Sequence, residues 1–193
     1  MLKQFRAKGQ TTRNSYLSFL SLWIVATAIG YAGGGFVSGI IARSVGGQLG
    51  LILSFGMISM ALALAQWLVI RTKIIGRGWL WTTLIGGTLG GAFSSWASFQ
   101  LAVTYGDAVD LLTIYGCLRG LSTGVAQWLV LRKYSKFADW WIVASTVSWY
   151  ISILIGSLLM NTLGYLLILV VGTIYGLLTG LALLLILRER RYY

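Results

Sequence analysis

Six times in 193 residues the chain stays apolar for long enough to cross a bilayer. About 20 helical residues span the ~30 Å hydrocarbon core. The runs lie near residues 17–41, 49–70, 79–104, 111–131, 140–160 and 164–187. A water-soluble domain has no use for so much apolar sequence, because much of its surface must face water. Within lipid the backbone has to satisfy its own hydrogen bonds, which leaves helices or a closed barrel. A barrel strand alternates apolar and polar residues, and stretches such as 181–187 do not. The expected fold is therefore all-α and integral to the membrane, with six transmembrane helices.

The loops give those helices a direction. Lys3, Arg6, Lys8 and Arg13 precede the first run. Arg71, Lys73 and Arg77 follow the second, Arg132, Lys133 and Lys136 the fourth, and Arg188, Arg190 and Arg191 the sixth. Loops at the other end hold only Arg43, with Asp107 and Asp110. The excess of loop cations at one end predicts that both termini are cytoplasmic. Trp67, Trp79, Trp81, Trp128, Trp140 and Trp141 all fall near that end, where an interfacial aromatic belt is expected. Residues 1–15 read as a basic, weakly amphipathic lead-in at the membrane surface. Ala26-Thr27-Ala28 has the look of a signal-peptide cleavage site, but the apolar run continues to Ile41, so a span is expected instead.

The six runs are not independent. Residues 126–132 read Ala-Gln-Trp-Leu-Val-Leu-Arg, and residues 65–71 read Ala-Gln-Trp-Leu-Val-Ile-Arg. A worn third copy, residues 182–188, has Leu183 and Leu184 where the others have Gln and Trp. The outgoing helices align too, led by Trp23, Trp79 and Trp141. Three tandem hairpins of one orientation follow, over residues 16–77, 78–138 and 139–193, behind the lead-in. Two spans per copy keep every copy facing the same way, so an axis along the membrane normal relates them.

Small residues indicate how the helices pack. Gly116, Gly120 and Gly124 recur every four residues, as do Gly172, Gly176 and Gly180, with Ser59 and Ala63 at the matching places in the second run. Gly86 and Gly90 continue with Ser94 and Ser98, beside Gly87, Gly91 and Ser95. The first run has Gly30 and Gly34, and also Gly35 and Gly39. A spacing of four places each set on one helix face, where backbones approach closely.

Few residues are equipped for chemistry. There is no histidine and no proline, a single cysteine, Cys117, and four acidic residues. An internal disulfide, a histidine base and histidine-ligated chlorophyll are excluded, and the usual zinc and haem ligand sets are missing. Cys117 reads as a small packing residue in a glycine-rich helix. The net charge of +11 fits topology and anionic lipid headgroups better than nucleic acid, since the charges sit in clusters between apolar runs.

Four residues stand as candidate ligand or lipid contacts: Arg119, Gln66, Gln127 and Asp110. An arginine within a span is a functional candidate by default. Arg119 is expected to pair with Asp110 or Asp107, to snorkel outward, to bind carbonyls or Gln100 of the third span, or to hold an anion. Gln66 and Gln127 are expected to clamp neighbouring helices, with ligand binding as the other reading. Trp67 with Arg71, and Trp128 with Arg132, are expected to anchor their helices at the interface.

The string at 126–132, its copy at 65–71 and the Trp-led glycine-rich helices resemble a repeat found in cyanobacterial multi-pass membrane proteins of unassigned function. The resemblance implies a bacterial inner or thylakoid membrane and carries over no catalytic residue. The expected function is non-enzymatic: an accessory or scaffold subunit, or a self-assembling unit, partnered by lipid, by other membrane subunits or by itself. The alternative is a small transporter or channel with Arg119, Gln66 and Gln127 as its polar lining. No cofactor is expected beyond a bound lipid or carotenoid.

Overall fold

In a computed structural model the chain is all-α. The structure describes the backbone of residues 2–71, 77–106 and 110–188, with side chains from residue 15 onward in those ranges, residue 165 excepted. Six helices follow one another: α1 (Leu2–Val45), α2 (Gly47–Ile70), α3 (Gly78–Tyr105), α4 (Leu111–Leu131), α5 (Trp140–Leu163) and α6 (Leu167–Arg188). A 3-10 turn at Gly164–Leu166 leads into α6. Four of the helices are long and apolar enough to cross a membrane, namely α1 from Ser15, α2, α5 and α6.

The helix limits follow local chemistry. Asp110 caps α4 by accepting hydrogen bonds from the backbone N–H groups of Leu112 and Thr113 at 3.1 and 3.2 Å. Between α1 and α2 the chain reverses at Gly46 and Gly47, whose φ angles of 65° and 56° are open to glycine at little cost. The backbone of the lead-in is continuous with α1 from Leu2. Without proline, and with Gly9 as the one glycine before Gly30, nothing local interrupts the helical hydrogen bonds.

Each helix packs against its neighbours in the chain, and α6 closes against α1. Among the described residues the backbones of other helix pairs stay further apart and meet only through side chains. The result is a closed ring of six. Neighbours run antiparallel: Gly116, Gly120 and Gly124 of α4 meet Tyr150, Thr146 and Ile142 of α5 in reverse order. Gly172, Gly176 and Gly180 of α6 likewise descend past Ala28, Ile24 and Leu20 of α1. Gly30 and Gly34 face α2, and Gly86 and Gly90 face Ala126 and Ser122 of α4. A Cβ at Gly120 would lie 2.5 Å from the Thr146 Cα, so backbone meets backbone there. Alternating direction gathers Arg71, Arg77, Arg132, Lys133, Lys136 and Arg188 at one end of the ring, here termed the basic end, and leaves Arg43 and Asp110 at the other. Lys73, Asp107, Glu189, Arg190 and Arg191 lie outside the described residues, as do the side chains of Lys3, Arg6, Lys8 and Arg13.

Candidate functional site

The axis of the ring is filled by side chains, and those toward the basic end are the largest. Trp23, Trp79 and Trp141, one each from α1, α3 and α5, have no exposed surface. Trp79 meets Trp23 edge to face at 5.8 Å and Trp141 at 5.6 Å. Such pairs are each worth about 0.5–1.5 kcal/mol beyond simple contact. Here the structure corrects the expected aromatic belt: Trp79 and Trp141 are core residues. Helical phase explains the split, since residues one or two apart point in different directions. Trp81 and Trp140 face outward, 53% and 65% exposed, because their neighbours face in.

The glutamines clamp this layer. Gln66 donates to the Thr27 hydroxyl at 3.3 Å and accepts from the indole N–H of Trp79 at 3.3 Å. Gln127 donates to Thr83 at 2.8 Å and accepts from Trp141 at 3.0 Å. Each carboxamide thereby ties an even-numbered helix to the odd-numbered helices on both sides. α6 has Leu183 at the corresponding place, and Trp23 donates instead to Thr179 at 3.1 Å. Both glutamines are buried, so neither meets lipid or water directly.

Arg119 lies deeper along the same interior, 2% exposed. One of its Nη groups donates to the Gly87 carbonyl of α3 at 2.6 Å. Its guanidinium carbon lies 5.1 Å from the Phe55 ring centre and 5.2 Å from that of Trp149. Trp149 packs on Tyr175 at 4.6 Å and on Tyr31 at 5.6 Å. The phenols of Tyr31 and Tyr175 are within electrostatic reach of the cation. Missing side chains on α3 make this placement fit. A Cβ at Gly91 would lie 1.7 Å from an Arg119 Nη, in the space the guanidinium occupies. α1 and α5 carry Tyr31 and Trp149 where α3 carries Gly87.

Of the expected partners of Arg119, a carbonyl of the third helix is the one found. Gln100 is exposed, and Asp107 is outside the described residues. Asp110 is also exposed and spends its oxygens on Leu112 and Thr113. Hydrogen bonds from the Thr113 hydroxyl and backbone hold its carboxyl below the usual carboxylate range. Snorkelling does not occur, because Arg119 points into the ring rather than along it to solvent.

The four residues expected as interface anchors meet in two pairs. Arg71 stacks over Trp67 at 5.6 Å and Arg132 over Trp128 at 4.8 Å. The Trp128 indole also donates to Asp139 at 2.6 Å, pinning the α4–α5 turn. Cys117 is a half-buried free thiol. Among the described residues no three His, Cys, Asp or Glu side chains come together.

Sequence reasoning missed the aromatic and hydroxyl partners: Tyr31, Phe55, Trp149, Tyr175, Thr27, Thr83 and Thr179. A signal was present for some. Trp23, Trp79 and Trp141 are each followed four residues later by a hydroxyl, Thr27, Thr83 or Ser145, one helical turn away on the same face. Chemically the interior offers a buried cation, indole donors and hydroxyls. Comparisons of the chain with protein-family models, with curated proteins and with solved structures find no match.

Proposed function

We propose that the chain is a six-span integral membrane module, built as three tandem hairpins of one orientation with both termini in the cytoplasm. On this reading it works without catalysis, as an accessory or scaffold subunit of a membrane complex or as a self-assembling unit. One observation carries the reading: the outward face of every helix is predominantly apolar. This includes α3 and α4, which are not among the four helices apolar enough by composition to cross a membrane. α3 turns Phe93, Trp96, Phe99 and Val103 outward, and α4 turns out Leu112, Leu121 and Leu129. Their polar residues Ser94, Ser98, Arg119 and Gln127 are turned in. A polar interior behind a predominantly apolar exterior suits lipid as the solvent. The gathering of loop cations at one end supports its assignment to the cytoplasm.

The resemblance to cyanobacterial multi-pass proteins implies a bacterial inner or thylakoid membrane, and the loop cations suit anionic lipid at the basic end. A groove of about 500 Å³ between α5 and α6, lined by Phe137, Trp140, Val147 and Leu185, suits a lipid chain or carotenoid. The test is mild extraction from native membranes, then native mass spectrometry and cross-linking. A stoichiometric membrane subunit or a homo-oligomer is expected. A lone monomer in both measurements overturns the reading.

A second reading, a small transporter or channel lined by Arg119, Gln66 and Gln127, draws on the polar groups buried without partners inside the ring. The tryptophan layer weighs against it by filling the axis at the basic end. Solute flux into proteoliposomes above that of protein-free vesicles would favour it.

A further inference from the structure

The seam between α1 and α6 is closed toward the basic end and open at the other. Gly172 and Gly176 lie against the backbone of Ala28 and Ile24. At Gly35 the neighbour is the side chain of Ile168, the second residue of α6. From there α1 runs on to Val45 beyond the start of α6, about 15 Å of helix. The backbone of the turn at Gly164–Leu166 neighbours α5 and α6, not α1. A groove of about 790 Å³ opens on the outside of the ring at this place.

Two rows of α1 line it, each with the spacing of four that keeps residues on one helix face. Ala32, Phe36 and Ile40 form an apolar wall, and Gly35 and Gly39 form a floor without side chains. The next residue of the floor row is Arg43, the one charged group in the groove. Helical side chains lean toward the N-terminus of their helix. One Nη of Arg43 accordingly lies 4.0 Å from where a Cβ on Gly39 would stand, so the guanidinium lies back over the groove.

Arg43 is exposed and no described carboxylate pairs with it. Asp110 spends its oxygens on the cap of α4, and Asp139 bonds Trp128 at the basic end. The last turn of a helix suits a cation by itself, but the dipole does not account for the groove beneath. Depth does. Arg43 stands twenty residues beyond Trp23, about 30 Å along α1, which matches the thickness of a hydrocarbon core. With the tryptophan layer near one interface, Arg43 stands at the other, at the level of lipid phosphates.

We propose that this groove binds one anionic phospholipid of the leaflet opposite the basic end. Its phosphate sits on Arg43, and an acyl chain lies along Gly39 and Gly35 toward Ile168. Charge complementarity selects the lipid: one unpaired cation meets one net negative charge, and a guanidinium fork matches phosphate oxygens. The site rests on the reading of the chain as membrane-spanning, and it is separate from the cations of the basic end and from the groove between α5 and α6.

The test reconstitutes the full chain in phosphatidylcholine vesicles with a trace of phosphatidylglycerol that carries a photoactivatable diazirine on an acyl chain. Labelled residues are located by peptide mass spectrometry. Labelling should concentrate on residues 32–40 of α1 and on Ile168, and excess unlabelled phosphatidylglycerol should displace it. Arg43→Gln should raise the half-displacing amount about five- to tenfold. Gly39→Leu keeps the cation and meets open space, but fills the floor, and should abolish labelling in the groove. Lys133→Gln, at the basic end, should leave it unchanged. Groove labelling no stronger than that of Phe93 and Trp96 on the lipid-facing side of α3 overturns the proposal, as does labelling in Arg43→Gln that is displaced as in wild type. A chain that enters the vesicles and labels evenly removes this site alone, whereas a chain that does not enter them removes the membrane reading and the site with it.

Discussion

The indole N–H of Trp141 donates to the side-chain oxygen of Gln127 across the α4–α5 boundary, at 3.0 Å. Trp79 makes the same bond to Gln66, and where Leu183 stands Trp23 uses Thr179 instead. The hydroxyl of Thr123, one turn before Gln127, is buried and unpartnered, while Leu62 stands one turn before Gln66. The two glutamines are therefore not equivalent in what replaces them. Gln66→Leu strands the Trp79 indole, and about 1–3 kcal/mol of stability should be lost. Gln127→Leu should cost about 1 kcal/mol or less, because Thr123 can accept from Trp141 as Thr179 does from Trp23. Thermal melts of both variants in one detergent compare them directly, and equal losses would count against the substitute acceptor.

Glycines that look alike in sequence should respond in opposite ways. A side chain at Gly120 meets the backbone of Thr146 and Ser145, at 2.5 and 2.8 Å. Gly120→Leu should destabilise by about 1–3 kcal/mol or more through overpacking. Gly33 has nothing within 4 Å of its added Cβ. Gly33→Ala should be neutral or should gain up to about 1 kcal/mol from helix propensity. Unfolding in a denaturing detergent series measures both.

Arg119→Met removes a buried charge without stranding a carboxylate. The Gly87 carbonyl lies in mid-helix and keeps its own helical hydrogen bond. The variant should fold and be at least as stable as wild type, as buried ions replaced by apolar residues often are. Gel filtration and a melt read the outcome, and a collapse of folding would show that the guanidinium organises the ring.

The Asp110 cap gives stability a defined pH dependence. Hydrogen bonds from Thr113 hold its folded carboxyl below the unfolded value, near ~3.9 for aspartate. Its contribution is therefore fully present above the unfolded value and lost as pH falls through the folded one. The melting midpoint should be insensitive to this group near neutrality and fall below about pH 4. Asp110→Asn keeps an oxygen acceptor for the cap and should remove that part of the acid slope. The comparison is of midpoint against pH for the two proteins.

The number of helices and most of their ends were legible in the sequence, because lipid allows few choices. The expected run 111–131 and helix α4 (Leu111–Leu131) coincide, since Asp110 caps one end and Arg132 begins the basic turn at the other. The stripes of glycine were legible for the same reason: a spacing of four fixes a helix face whatever it meets. What those faces meet was decided by ring closure, a contact between α6 and α1 that no local pattern encodes. Trp79 and Trp81 are equally tryptophan in sequence, and only the ring says which helical phase points inward. Arg119 depended on tertiary structure most of all. A long side chain goes where volume and acceptors are available, and these come from Gly87 and Gly91, on a helix whose positions opposite Arg119 lack side chains.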